Sequence, residues 1–186
     1  MSFAYDTKAE LCSIPVEEDC CRKSLLSALL HVGGSLTLSH AGMGLTVTTE
    51  HPAAARLTFR LLRECCQCRA QIRTYRVERL NKGHTYELLL PPGEETRRVM
   101  LFTGLMEKTE DGTFRLRDAV PEFVTEKECC MRSYARGAFL MGGTVSDPER
   151  CSAAVRWPWG SAWRGRRRGR MTRNGRNRQN YERYGE

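Results

Sequence analysis

Apolar positions recur along this chain with two periods, about 3.6 and 2. The helical period is clearest in two runs about a hundred residues apart. Asp19–Ser39 reads DCCRKSLLSALLHVGGSLTLS, and Glu128–Glu149 reads ECCMRSYARGAFLMGGTVSDPE. A shift of 109 residues puts Cys20-Cys21 on Cys129-Cys130, Ser24 on Ser133 and Gly33-Gly34 on Gly142-Gly143. Such a period is too long for a solenoid and points to two halves of one pseudo-symmetric domain. Each copy predicts a helix, about Glu18–Val32 and about Thr125–Met141, terminated by Gly-Gly. Ser24, Ala28 and Val32 lie one turn apart, as do Ser133, Gly137 and Met141. Small residues at that spacing let two backbones approach closely, so the two helices are expected to pack on each other along these faces.

Other segments follow the same two periods. Asp6–Leu11 predicts a short helix, broken by Pro15. Ser35–Ser39 and Leu45–Thr49 predict strands joined by a turn at His40–Gly44. Pro52 opens a helix to about Cys66, with Leu57, Leu61, Leu62 and Cys65 on its apolar side. Arg69–Leu80 predicts a long strand, Asn81-Lys82-Gly83 a hairpin turn, and His84–Leu90 the return strand. A helix is expected over Glu94–Leu105 and a turn at Asp111-Gly112. The fold class is α+β: one αββαββα half with a four-stranded antiparallel sheet, followed by the first helix of a second half. The organisation is 1–110 for the first half, 111–150 for the start of the second, and 151–186 for a tail.

Alternation predicts which side of the sheet is open. Leu45, Val47, Thr49, Tyr86, Leu88 and Leu90 are expected to face the core. Thr46, Thr48, Arg69, Arg73, Arg79 and Lys82 are expected on the open side. Guanidinium groups on a curved sheet suit a polyanion, since they reach phosphate oxygens and guanine edges. Glu78 and Glu87 dilute that charge, and an ordinary solvated sheet face has the same pattern.

The net charge of +8 is confined to one region. Residues 1–150 carry 20 basic and 20 acidic side chains, whereas 151–186 carry ten Arg against Glu182 and Glu186. The tail also holds Trp157, Trp159 and Trp163, and shows neither period. Three readings compete for it: the product of a frameshift near Arg150, a disordered arm that binds nucleic acid electrostatically through residues such as Arg164, Arg166–Arg168 and Arg170, or a folded extension. The first is favoured, because Arg without Lys beside Trp and Gly is what GC-rich codons read out of frame tend to yield. There are nine cysteines. Three adjacent pairs sit in expected helices, where neighbouring side chains diverge by about 100°, and no second CxxC accompanies Cys65–Cys68. They read as free thiols packed in the interior, with no metal ligand and no cofactor assigned. No signal peptide or membrane-spanning run is evident, which places the protein in the cytoplasm.

The repeated αββαββα order, with each half's first helix ending in Gly-Gly-Ser/Thr, resembles the LAGLIDADG homing-endonuclease fold. ECCxRSYxRGAFLxGGTVSDPE, the first copy's CC…GG pattern and the MSF…K.EL opening more closely resemble the bacterial WhiA regulators, from Met1 to about Arg150. The resemblance implies a non-catalytic DNA-binding factor in cell division, chromosome segregation and sporulation transcription, associated with the nucleoid. In the nucleases an acidic residue just before Gly-Ser ends each repeated helix and holds the catalytic cation. Gly33 and Gly142 occupy those positions here. His31 has Leu140 as its counterpart and Asp147 has Leu38, so neither makes a symmetric pair, and no catalytic residue is assigned. The family continues past this point with the rest of the second half and a helix-turn-helix domain, which the tail does not match. Without its own sheet, the second repeated helix is expected to leave Tyr134, Phe139 and Leu140 partly uncovered, inviting self-association or a protein partner. The alternatives to DNA binding are a protein–protein scaffold in the same machinery and a residual endonuclease.

Overall fold

The computed structural model describes residues 2–40, 42–76, 83–117 and 119–147, and the backbone of 155–156. Helix α1, Phe3–Ser13, is longer than the expected Asp6–Leu11 because Ser2 caps it, its Oγ accepting from the Tyr5 N–H at 3.3 Å. The first half then runs α2 (Asp19–Gly33), β1 (Gly34–Ser39), β2 (Gly42–Thr49), α3 (Pro52–Cys66), β3 (Gln71–Arg76), β4 (His84–Leu90) and α4 (Glu94–Thr103). This is the expected αββαββα order. Pro52 opens α3, and Gln67, in the left-handed region at φ 53°, closes it: its N–H donates to the Arg63 carbonyl and the Cys68 N–H to the Leu62 carbonyl. Gly104 at φ 74° ends α4 before the expected Leu105.

The four strands form one antiparallel sheet in the order β1-β2-β4-β3. Register brings Leu36, Leu45 and Leu90 into one row, and Val47, Leu88 and Ile72 into the next. Both rows face the helices. Their central members are buried, while Leu36 and Ile72 on the edge strands are about half exposed, at 42 % and 50 %. Against this sheet α2 contributes Leu25, Leu26, Leu29 and Leu30, α3 contributes Ala54, Leu57, Leu61 and Leu62, and α4 contributes Val99. The buried hydroxyl of Ser27 donates to the Thr103 carbonyl at 2.7 Å, tying α2 to the end of α4.

Beyond α4 come β5 (Met106–Lys108) and β6 (Phe114–Leu116), a hairpin around the anticipated Asp111-Gly112 turn. The second repeated helix starts three residues later than the expected Thr125–Met141, and a separate short helix precedes it. A short α5 (Glu122–Thr125) swings Val124 into a small cluster with Ala28, Tyr134 and Ala138, and α6 (Glu128–Gly142) starts afresh after Lys127. No Gly or Pro marks the break, so only tertiary packing reveals it. A last two-residue pair, β7 (Thr144–Val145) with β8 (Val155–Arg156), follows α6.

Helix α6 lies along α2 at close range. A Cβ added to Gly137 would stand 2.7 Å from Ala28 Cβ and 2.7 Å from the Leu25 carbonyl oxygen. That contact lets Leu140 enter the main core, where it is wholly buried. Tyr134 and Phe139 are also buried, at 6 % and 8 % exposure, so the apolar face expected to be uncovered is instead covered within the chain. Lys8 of α1 sits over the Phe139 ring. Gly137→Ala tests the close approach. Helix propensity alone favours alanine by about 1 kcal/mol, but overpacking against a backbone carbonyl costs about 1–3 kcal/mol. The variant is expected to unfold at lower urea than wild type, and a higher midpoint would show that the helices do not touch here.

Candidate nucleic-acid interface

The open side of the sheet is built from rows that run across three or four strands. Thr48 pairs with Glu87, which pairs with Arg73; Thr46 pairs with Leu89, which pairs with Gln71, and on its other side with Ser35. Thr46, Thr48 and Arg73 therefore share one face. Thr48 and Arg73 are exposed and Thr46 is partly covered. Arg69 is exposed too, but it precedes β3, and its backbone N–H donates to Glu95 at 3.2 Å. Arg79 and Lys82 lie outside the described residues, as does the tail with its arginines. Glu87 stands directly across from Arg73 and accepts from the Tyr75 hydroxyl at 3.0 Å. That hydrogen bond is the main reason the Tyr75 pKa is raised. Hydroxyls with a compensated guanidinium make this a polar face of low net charge.

A basic row not anticipated from the sequence lies on α3. Arg56, Arg60 and Arg63 are exposed, at four- and three-residue spacing, on the side away from Leu57 and Leu61. The same spacing that marked the apolar side of this helix would have disclosed them.

The residues singled out for the helix junction are brought together. Ser24 and Ala28 are fully buried, Gly137 is buried against Ala28, and the Met141 side chain lies over Gly33, in the space its Cβ would take. Val32 packs on the small cluster around Ala28 and Tyr134. Gly33 and Gly142 each form the last residue of their helix. His31 joins the two helices by a different route: its Nδ1 is 3.1 Å from the Tyr134 hydroxyl and its Nε2 is 3.3 Å from the Arg117 carbonyl. The carbonyl can only accept, so Nε2 carries the proton, and in the neutral ring Tyr134 donates to Nδ1. Burial pushes the Tyr134 pKa up to about 12. Arg117 is itself held, with Arg115, by Glu107 on the neighbouring strand, which holds that carboxyl below its usual pKa.

Two groups of cysteines stand out among the described residues. Cys12, Cys66 and Cys68 are thiols of the first half, pushed by burial up to about 11, 12 and 12. Cys20, Cys21, Cys129 and Cys130 converge where the N-terminal turns of α2 and α6 meet, with all four sulfurs within 4.8 Å of one another. The expectation that adjacent cysteines diverge is not met at the sulfurs, which lie within 4.8 Å of one another in each pair as well as between pairs. It fails as an argument against clustering, because the second helix supplies the facing pair. Serines cross the junction symmetrically: Ser133 acts on the Cys21 thiol and Ser24 on the Cys130 thiol, each lowering a pKa that burial raises.

Residues 19–106 match the WhiA N-terminal LAGLIDADG-like domain. This stretch, just under half of the chain, resembles the family's LAGLIDADG-like domain. Over 151 residues the chain is 37 % identical to the probable cell division protein WhiA of Alkaliphilus metalliredigens, covering 81 % of this chain and 47 % of that protein. Over 152 residues it is 39 % identical to the protein of the same description from Bacillus cytotoxicus, covering 82 % and 46 %. The chain thus spans about half the length of the curated relatives it matches. The crystal structure of full-length DUF199/WhiA from Thermatoga maritima superposes with a TM-score of 0.52 at 15 % identity, covering 80 % of this chain and 42 % of that one. The N-terminal LAGLIDADG domain of DUF199/WhiA superposes at 0.56 and 17 % identity, covering 80 % and 62 %. Those two structures share the WhiA-type fold. No helix among the described residues is long and apolar enough to cross a membrane.

The first-half thiols predict an alkaline limit to stability. Their pKa values are raised from 9.0, so folding favours the neutral form. The stabilisation is complete below pH 9 and fades as the pH climbs through about 11 to 12. Urea midpoints are expected to be level around neutrality and to fall above pH 9, less steeply in a Cys12→Ala, Cys66→Ala, Cys68→Ala variant. An identical alkaline fall in that variant would remove the thiols as its cause.

Proposed function

We propose that this chain is the non-catalytic, DNA-contacting LAGLIDADG-like part of a WhiA-type regulator. It acts in cell division, chromosome segregation and sporulation transcription, on nucleoid DNA in the cytoplasm. The observation that carries the reading is the two-sided sheet. One side is closed by α2, α3 and α4, while the other presents Thr46 and Thr48 on β2 and Arg73 on β3, either side of β4, with no helix over them among the described residues. Hydroxyl and guanidinium groups in rows are what phosphate and base-edge contacts use. Arg69 extends the set at one end, and Arg79 and Lys82 extend it in sequence. The Arg-rich tail adds sequence-independent attraction.

The chemistry of a homing nuclease does not fit these residues. Its cation needs carboxylates at the two helix ends, and hard divalent ions take oxygen ligands. Gly33 and Gly142 offer no side chain, and the Met141 methyl group fills the space where a Gly33 side chain would begin. No hydrolytic step is derived through such an ion. A protein–protein scaffold is the second reading. With Tyr134, Phe139 and Leu140 buried, it loses the α6 face that first recommended it and would have to use another surface, so DNA binding is preferred.

Two measurements test this. Supercoiled plasmid incubated with the protein and Mg²⁺ is expected to stay intact, and nicking that depends on the protein would restore the endonuclease reading. Duplex binding, followed by fluorescence anisotropy across a salt series, is expected to weaken in Arg73→Ala/Arg79→Ala. Its salt slope should fall by about 1.8, near 0.9 for each phosphate that is no longer neutralised. Unchanged binding in that variant, with weaker binding in Arg56→Ala/Arg60→Ala, would move the interface from the sheet to α3.

A further inference from the structure

The four thiols at the helix junction are not used by the DNA-binding reading, and they form the densest set of soft ligands among the described residues. We propose that Cys20, Cys21, Cys129 and Cys130 bind a single Zn²⁺ ion that clamps the start of α2 to the start of α6. Four thiolates around zinc at about 2.3 Å stand about 3.8 Å apart in a tetrahedron. The sulfurs are already within 4.8 Å of one another, so closing the site needs movements of about 1 Å or less. Such movements lie within rotamer adjustment in the first turns of two helices.

Three features of the surroundings suit thiolates. Cys20-Cys21 and Cys129-Cys130 occupy the second and third positions of α2 and α6, so the positive ends of two helices converge on the sulfurs. Ser24 is wholly buried and its Oγ makes no hydrogen bond of regular geometry among the described residues. It stands one turn below Cys20 and acts on Cys130 of the opposite helix. Ser133 does the same for Cys21 from the other side. A hydroxyl aimed at each buried ligand is the outer-shell support that metal–thiolate sites use. Access is also provided: Cys129 is exposed, and with Cys21 it lines an open cleft edged by Glu17 and Glu18 and by Arg136 and the Arg132–Glu128 ion pair.

The ligand set selects the ion. Thiolates are soft, which disfavours Mg²⁺ and Ca²⁺, and a tetrahedral S₄ site takes zinc or an iron–sulfur centre. An iron–sulfur cluster interposes its own irons and sulfides and spreads its cysteines apart. Sulfurs gathered this tightly leave room for one ion. Each thiol loses its proton on binding, and affinity therefore falls in acid.

The full chain, purified with reductant and without chelator, is expected to carry about one zinc by elemental analysis. After zinc removal, Co²⁺ should give the visible bands of tetrahedral cobalt and the near-ultraviolet charge transfer of thiolate ligands. Cys20→Ser/Cys129→Ser should abolish both signals, and Cys12→Ser and Cys68→Ser should leave them intact. Ser24→Ala should weaken zinc binding about tenfold or more. Cobalt titration of the wild-type chain reads the site directly, even where a cysteine variant fails to fold. The proposal is overturned by a wild-type chain that takes up neither zinc nor cobalt, by an iron–sulfide absorption spectrum, or by a mass showing disulfides between the two pairs.

Discussion

Backbone contact between α2 and α6 is the constraint on which the remaining features rest. The two helices can lie this close only because Ala28 faces Gly137, where a single additional methyl would collide with a carbonyl oxygen. Their proximity carries Leu140 into a core made otherwise by the first half. It also sets Tyr134 against His31 and gathers four thiols at one end of the pair. Small side chains contribute little burial themselves. Their role is geometric: they set a separation at which larger groups on either side find partners.

Polar ties reinforce this contact along its length. Glu107 grips Arg115 and Arg117, the Arg117 carbonyl meets His31, and His31 meets Tyr134. The chain of contacts runs from an exposed hairpin to the junction between the halves. Exposed ion pairs are worth little alone; here the pair orients a carbonyl that meets the half-buried His31 ring. At the other end of the junction Ser24 and Ser133 cross over to the opposite helix's cysteines, so both ends are specified by polar groups and the middle by close packing.

Much of this architecture was legible in the sequence, for identifiable reasons. The αββαββα order followed from two clean periods, and β4 and α3 match their expected limits because Pro52, Gly83 and Pro91 punctuate them. The 109-residue repeat disclosed the helix pair. What escaped was tertiary in origin. The break between α5 and α6 has no breaker residue, only Val124 reaching for a pocket. The strands of the β5–β6 hairpin are three residues each, too short for alternation to register. The thiol cluster is invisible in either Cys-Cys pair alone and follows only when the repeat sets the second pair opposite the first. Of the candidate contact face, alternation placed Thr46, Thr48 and Arg73 together. It could not show that Glu87 pairs across from Arg73, since that depends on register. The arginine row on α3 has the same spacing as the helix's apolar side and is legible from it.

The pairing of Ala28 with Gly137 joins positions 109 residues apart, and this separation has a kinetic side. On the ribosome α2 emerges long before its partner. At about 5–20 residues per second the interval is roughly 5 to 20 seconds, ample time for the first half to fold around its own sheet. Its small-residue face then waits, shallow and weakly apolar, with little to attract a wrong neighbour. A leucine-rich face would have spent those seconds as an aggregation hazard. Alanine and serine on α2 therefore serve two stages: a quiet surface while synthesis continues, and a close-fitting seat once α6 arrives.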